Sequence, residues 1–385
     1  MNTRSSPAWI DLGDSSAPLC ADGVCRVPGA SAVHPLFAPC TLGGLRLNNR
    51  FALAPMGQQR SPGGVSDAAM AAYYASRVAH GGAALIFTEA TAIDHSSVGT
   101  QFPSMPRLRR GAGEAGHAGV AQAIHAAGGS VFVQLWHPGS HDMGPVDATQ
   151  ALSPSGYWPV SGAHGRAASQ EDIDELVAAY ADAAALAREL GYDGVEVHGT
   201  HGFLIDQFLW PVTNQRSDGY GGTPKSRARF AAEVVAAVRA ATGPDFPISF
   251  RLSQWKSRVR GSRLVADGEE LAALIEPISA AGVDLFHVSV HGYDEAAFAG
   301  SELSLAGWVR RITGKPVITV GAVGLDAQER PDPAFDFSAL TARFKRGEFD
   351  LVAVGRALLQ QPDWVSQQAT RLSSHSMPSV KGTIS

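Results

Sequence analysis

Four short stretches of this chain carry residues whose types and spacing could do chemistry, and each stands at the end of an apolar run. His198-Gly199-Thr200-His201 sets two imidazoles on either side of a Gly-Thr turn. Imidazoles can ligate a metal or donate N–H to a substrate oxygen. A metal site built on helical histidines wants the second one turn on, with an acidic ligand nearby, so this spacing favours substrate hydrogen bonding and no metal is expected. A structural role is the other alternative.

Arg251 ends a run whose neighbours Ile248, Phe250 and Leu252 are apolar, so its guanidinium must meet an anion or several acceptors to offset burial. A buried salt bridge to Glu196 or Glu89 would serve, and so would an anionic cofactor. The remaining two stretches, Gly321-Ala322-Val323-Gly324 and Gly355-Arg356, have the form of phosphate loops: glycines let backbone N–H groups approach, and a helix start adds a favourable dipole. Arg356 would lie in a first helical turn, where a cation opposes the dipole unless an anion sits beside it. Glycines needed only for tight turns are the plainer alternative.

The elements that must position these residues follow from hydrophobic patterning. Short β-branched runs occur at 50–55, 84–89, 130–135, 193–198, 247–252, 283–290, 316–320 and 350–354, separated by longer stripes at helical spacing, clearest over 172–190, 227–241 and 269–280. Eightfold β-α alternation predicts an α/β fold, a single (β/α)8 TIM barrel, in which catalytic residues stand at the C-terminal ends of strands. A Rossmann-type sheet would need a Gly-x-Gly-x-x-Gly turn after its first strand, and Met56-Gly57-Gln58-Gln59 stands there instead. Strand ends also deliver Pro55-Met56-Gly57, Glu89-Ala90-Thr91, Gln134-Leu135-Trp136-His137 and His291, but no lysine for a Schiff base, which argues against an aldolase-type barrel.

The chain has 385 residues, 45% hydrophobic and 17% charged, enough for one barrel with insertions. Residues 1–34 read as an irregular N-terminal extension, 35–372 as the barrel and 373–385 as a C-terminal tail. Cys20 and Cys25 in the extension read as reduced thiols rather than half a metal site or a disulfide loop. The formal charge of −5 comes without a basic block, so neither nucleic acid nor an anionic membrane is indicated, and a small-molecule substrate is expected. The first residues lack a signal peptide's basic start and apolar run, and no window reaches the roughly 18 apolar residues of a membrane span, so a cytoplasmic location is expected. A homodimer stays open.

The same residues resemble the Old Yellow Enzyme family, in the broad NADH:flavin oxidoreductase group, from Pro35 to Val365. The resemblance rests on Leu36-Phe37-Ala38-Pro39, Asn49-Arg50, Ala54-Pro55-Met56 and above all the run HGTHGFLIDQFLWPVTNQRSDGYGGTPKSRARF from His198 to Phe230. It implies noncovalent FMN, reduction by NADH or NADPH, and hydride transfer to the C=C bond of an α,β-unsaturated carbonyl or nitro compound. Position by position, it implies that Ala54, Pro55, Met56, Gly57 and Ala90 line the flavin, and that Gln134 bonds its pyrimidine edge. Arg251 would stabilise negative charge on the reduced ring, and Gly321, Ala322, Gly355 and Arg356 would hold the phosphate. His198 and His201 match the pair that holds the substrate oxygen, and Trp136 a position shaping the pocket above the flavin.

Three departures bear on chemistry. Phe203 stands where the family usually has a tyrosine acid, and phenylalanine donates no proton; Tyr293 is a candidate substitute. Gly57 stands where relatives often carry Thr or Cys, and Gln59 where some carry a substrate-contacting tyrosine. An oxidative or double-bond-isomerising flavoenzyme is therefore the second expectation, and a non-catalytic flavin-binding barrel the third. Iron-sulfur relatives are disfavoured, because three scattered cysteines cannot supply four thiolates.

Overall fold

The computed structural model describes residues 34–99, 102–141 and 151–375. Cys20, Cys25 and most of both terminal segments lie outside the described residues.

All eight apolar runs form strands, and they close into one parallel barrel: β1 (Phe51–Leu53), β2 (Leu85–Ile93), β3 (Ser130–Trp136), β4 (Gly194–His198), β5 (Ile248–Ser253), β6 (Leu285–Ser289), β7 (Val317–Val320) and β8 (Leu351–Val354). Closure comes from β1, which pairs with β8 on one side (Val352 with Phe51) and with β2 on the other (Ala52 with Leu85). The helices α1 (Ala68–Ala79), α2 (Glu114–Ala126), α3 (Gln170–Glu189), α4 (Arg229–Thr242), α5 (Gly268–Ala280), α6 (Leu305–Thr313), α7 (Ser338–Lys345) and α8 (Trp364–His375) follow the strands in turn. In α3, Ser169 and Asp172 form a reciprocal capping box, and Ile173, Leu176, Tyr180, Ala184 and Ala187 make its buried stripe.

Period-two alternation divides each strand between two environments. On β5, Ile248, Phe250 and Leu252 join the large cluster packed with the helices. Ser249, Arg251 and Ser253 fall on the opposite face, inside the barrel. The lower interior is apolar, built from Ala52, Leu85, Phe87, Phe132, Leu285, Ile318 and Leu351. Its floor is an antiparallel hairpin of Cys40–Leu42 and Leu45–Leu47, whose Cys40, Leu42 and Leu47 join the same cluster. Gly43 and Gly44, at φ 54° and 85°, make its two-residue turn, a conformation with both central φ angles positive.

One strand is longer than its apolar run. The expected end of β2 was Glu89, but the strand continues to Ile93 beyond a register shift between Phe87 and Ala90. The shift turns the Glu89 carboxylate toward the loop after β1, where it accepts from the backbone N–H groups of Gln58 (2.6 Å) and Gln59 (3.2 Å). At the other end of the chain, α8 runs to His375, past the expected barrel boundary at 372.

Candidate active site

Above the apolar layer the interior becomes polar. Gln134 on β3 donates from Nε2 to Glu196 Oε1 (2.8 Å), and Glu196 Oε2 is met by Ser249 Oγ (2.9 Å) and His287 Nδ1 (2.7 Å). Burial alone would raise the Glu196 carboxyl, but His287, Arg251 and Gln134 together hold it down at about 2, so it is ionised. With both carboxylate oxygens taken, Arg251 has no ion pair or hydrogen bond among the described residues, although it is only 5% exposed and its Nε is wholly buried. Glu89 is committed to the β1 loop instead. The salt bridges weighed for Arg251 do not form, and its cation is free for an anion from outside the chain.

His198 ends β4, and His201 lies on the turn beyond it with left-handed backbone (φ 64°). Their rings stand at right angles with centroids 5.5 Å apart. Neither ring nitrogen of His198 has a partner among the described residues, whereas His201 Nε2 meets Ser289 Oγ at 3.0 Å. Burial, reinforced by the Arg251 charge, pushes His198 down to about 3 and His201 well below its ordinary range. Both are therefore neutral imidazoles, each with one N–H to give.

A fully buried ion pair holds this turn. Lys256 Nζ contacts Asp206 Oδ1 at 2.8 Å, with both side chains at 0% exposure. Asp206 Oδ2 accepts from Gly202 N–H (2.7 Å), and Ser257 N–H donates to the His201 carbonyl (3.2 Å), so the pair ties the turn after β4 to the loop after β5. That loop also stacks Trp255 on His201, with centroids 4.2 Å apart, and His291 stacks on Trp255 at 4.9 Å.

Ala54, Pro55, Met56, His201, Arg251, Gly321, Ala322, Gly355 and Arg356 line a common cleft of about 380 Å³ at the barrel mouth. A Cβ on Gly321 would lie 2.7 Å from the Val290 carbonyl oxygen, so only glycine lets β6 and β7 approach there. Arg356 pairs with Glu329 at 2.5 Å across the two glycine loops, both partly exposed. Gln134 lies below the mouth, with Ala90 paired beside it on the shifted part of β2. Gly57 is exposed, with open space where a Cβ would go, and Gln59 is exposed with φ 53°.

Trp136 is fully buried and meets Phe203 edge-on at 5.3 Å, and Phe203 also packs on His198 (5.1 Å) and His141 (4.9 Å). Phe203 therefore presents a ring edge, and no hydroxyl, beside the first histidine. Tyr293 does not join this group: its ring meets Phe335 at 6.3 Å, and its backbone N–H donates to the Gly321 carbonyl (3.2 Å). Trp255, Ser289, His287 and the Asp206–Lys256 pair were not found by sequence reasoning. Polar residues alternating inward on β5 and β6 were an available signal for the serines and His287, but Asp206 and Lys256 carry no local signal.

An unneutralised buried guanidinium and two glycine loops facing one cleft, with the Gln134 amide beneath it, fit a phosphorylated, electron-accepting ring. The fold and site thus define a flavin-binding (β/α)8 oxidoreductase. The pattern of the NADH:flavin oxidoreductase / NADH oxidase family matches residues 35–374, and the chain belongs to that family, the Old Yellow Enzyme group. It is 33% identical to an NADH oxidase of Thermoanaerobacter brockii over 86% of this chain and 50% of that one. It is 40% identical to 12-oxophytodienoate reductase 7 of Oryza sativa subsp. japonica over 55% of this chain and 56% of that one. The chain thus spans about half the length of these relatives. Among solved structures, morphinone reductase in complex with tetrahydroNAD superposes with a TM-score of 0.72 at 29% identity, covering 88% of this chain and 91% of the other. An Old Yellow Enzyme homologue from Zymomonas mobilis gives 0.71 at 27% identity, covering 87% and 92%. Among the described residues no helix is long and apolar enough to cross a membrane, and no group of three His, Cys, Asp or Glu could hold a metal ion.

Proposed function

We propose that the protein is an ene-reductase that reduces the C=C bond of an α,β-unsaturated carbonyl or nitro compound at the expense of NADH or NADPH. The observation that carries this reading is the pair of neutral, perpendicular imidazoles of His198 and His201 beside the unpaired Arg251. Hydride-transfer chemistry would be supplied by FMN when bound. The Ala54–Met56 backbone, Gln134 and Arg251 would hold its ring, and Gly321, Ala322, Gly355 and Arg356 its phosphate. His198 and His201 would bind the substrate oxygen by two N–H bonds that strengthen as negative charge develops there. Ser289 Oγ, 3.0 Å from His201 Nε2, would orient the second imidazole; with the hydroxyl as donor, the N–H stands on Nδ1.

Phe203 favours a second reading. With a phenyl ring where a hydroxyl acid would stand, protonation of the α-carbon falls to solvent, whereas desaturation of a ketone or migration of a double bond needs no such donor. Purified protein should be yellow, be bleached by anaerobic NADH or NADPH, and regain colour with cyclohexenone or a nitroalkene. His198→Ala and His201→Ala should each slow that recovery by about 100-fold. Protein that takes up no FMN would sink both readings, and anaerobic bleaching of the oxidised protein by a saturated ketone, with no recovery of colour from an enone or nitroalkene, would transfer support to the second.

A further inference from the structure

A second cleft, of about 630 Å³, adjoins the first at Trp255, Val290 and His291. The two share Trp255 and His291, so a molecule seated at His201 can extend past the indole without leaving the protein surface. The new cleft carries a net cationic lining. Arg260 and Arg263 face it from the loop after β5, and among the described residues Glu295 is the one acidic residue in its lining. Lys256 also lines it but is neutralised by Asp206. Arg260 has no hydrogen bond or ion pair among the described residues, and the Arg263 guanidinium reaches only the Ala297 carbonyl, at 3.3 Å.

The loop that carries these arginines is braced at several points. Trp210 Nε1 donates to the Arg263 carbonyl (2.8 Å), Gln254 Oε1 accepts from Leu264 and Val265 (2.9 and 3.1 Å), and Ser262 Oγ accepts from Lys256 N–H (2.7 Å). Its start is bonded to the His201 carbonyl. Cations held on such a frame lose little backbone freedom when an anion arrives, unlike arginines on a free tail.

We propose that this cleft is an anion subsite, and that the molecule reacting at His198 and His201 carries a carboxylate or phosphate held by Arg260 and Arg263. The inference rests on the ene-reductase reading of the neighbouring cleft. The anion can belong to the alkene substrate or to the nicotinamide cofactor, and matched probes separate these sources. The alkene pair is cinnamaldehyde and 4-carboxycinnamaldehyde; the reductant pair is NADPH and 1-benzyl-1,4-dihydronicotinamide, which has no phosphate.

In holoenzyme carrying Arg260→Gln and Arg263→Gln together, the kcat/KM ratio of anionic to neutral probe should fall about tenfold in one of the two pairs, chiefly through KM. Arg260→Glu should lower it further, and added salt should narrow the gap between wild type and variants. A fall in the alkene pair assigns the subsite to the substrate, and a fall in the reductant pair assigns it to cofactor phosphate. Ratios unchanged in both pairs, in protein that still binds FMN and turns over the neutral probes, would overturn the subsite alone. Loss of FMN binding in the wild-type protein would instead strike the reading beneath it.

Discussion

The buried Asp206–Lys256 pair makes a sharp prediction, because its two effects on stability have opposite signs. Lys256→Met preserves the shape of the stem and removes the ammonium, leaving a carboxylate at 0% exposure with the Gly202 N–H as its remaining partner. Removing one member of such a pair costs about 3–5 kcal/mol, whereas removing both charges together costs much less. Burial raises the Asp206 carboxyl and lowers the Lys256 ammonium, each against the other's attraction, so the pair's own net contribution is small. Thermal midpoints of FMN-saturated protein should then rank wild type first, Lys256→Met with Asp206→Asn second, and Lys256→Met alone last. The same order should appear in binding of a phenolic ligand, since Asp206 and the loop bearing Lys256 hold the His201 turn. A double variant as unstable as the summed single variants would refute the account, because independent hydrogen bonds add and an orphaned charge does not.

Other expectations concern the site itself. The histidines are neutral when folded, while an unfolded histidine titrates near pH ~6.5. Stability from His198 is therefore complete above that pH and is lost as pH falls toward about 3, and binding of an uncharged enone should stay flat between about pH 6 and 8, checked by spectral titration of the flavin. Gly57→Thr should fold normally, since its Cβ meets nothing within 4 Å, and should raise the flavin midpoint potential by roughly 20 mV, the two-electron equivalent of one added hydrogen bond. Glu329→Gln frees Arg356 from its 2.5 Å partner and should tighten FMN binding by about twofold to fivefold, measured by fluorescence titration. Phe203→Tyr should raise single-turnover enone reduction by about 10- to 100-fold if protonation limits it; an unchanged rate would place the limit elsewhere.

Much of this architecture was legible because barrel strands are short, apolar and repeated, and their polar termini announce the mouth. Arg251 shows how far that goes: its apolar neighbours marked it as buried, yet only the structure reveals that Glu196 is already engaged by Gln134, Ser249 and His287. The end of β2 was hidden because a register shift breaks the alternation that defines a strand, and the floor hairpin because three-residue strands around Gly43-Gly44 are too short to show a period. Tyr293 illustrates a different limit. Proximity in sequence to a strand end does not say which way a ring turns, and this one packs on Phe335. The Asp206–Lys256 pair joins residues fifty apart, beyond any local pattern.

The floor hairpin also bears on how this protein can change over evolutionary time. Because Cys40, Leu42 and Leu47 close the apolar end of the barrel, mutations that alter robustness and mutations that alter chemistry fall on opposite poles of the molecule. Variation at the exposed Arg260 and Arg263 side chains of the loop after β5 can then be explored without eroding the fold, provided Lys256 and the contacts that brace the loop are kept. For an engineer the same separation makes Arg260 and Arg263 natural positions for directed diversification, with Lys256 and the hairpin left untouched as a reserve of stability.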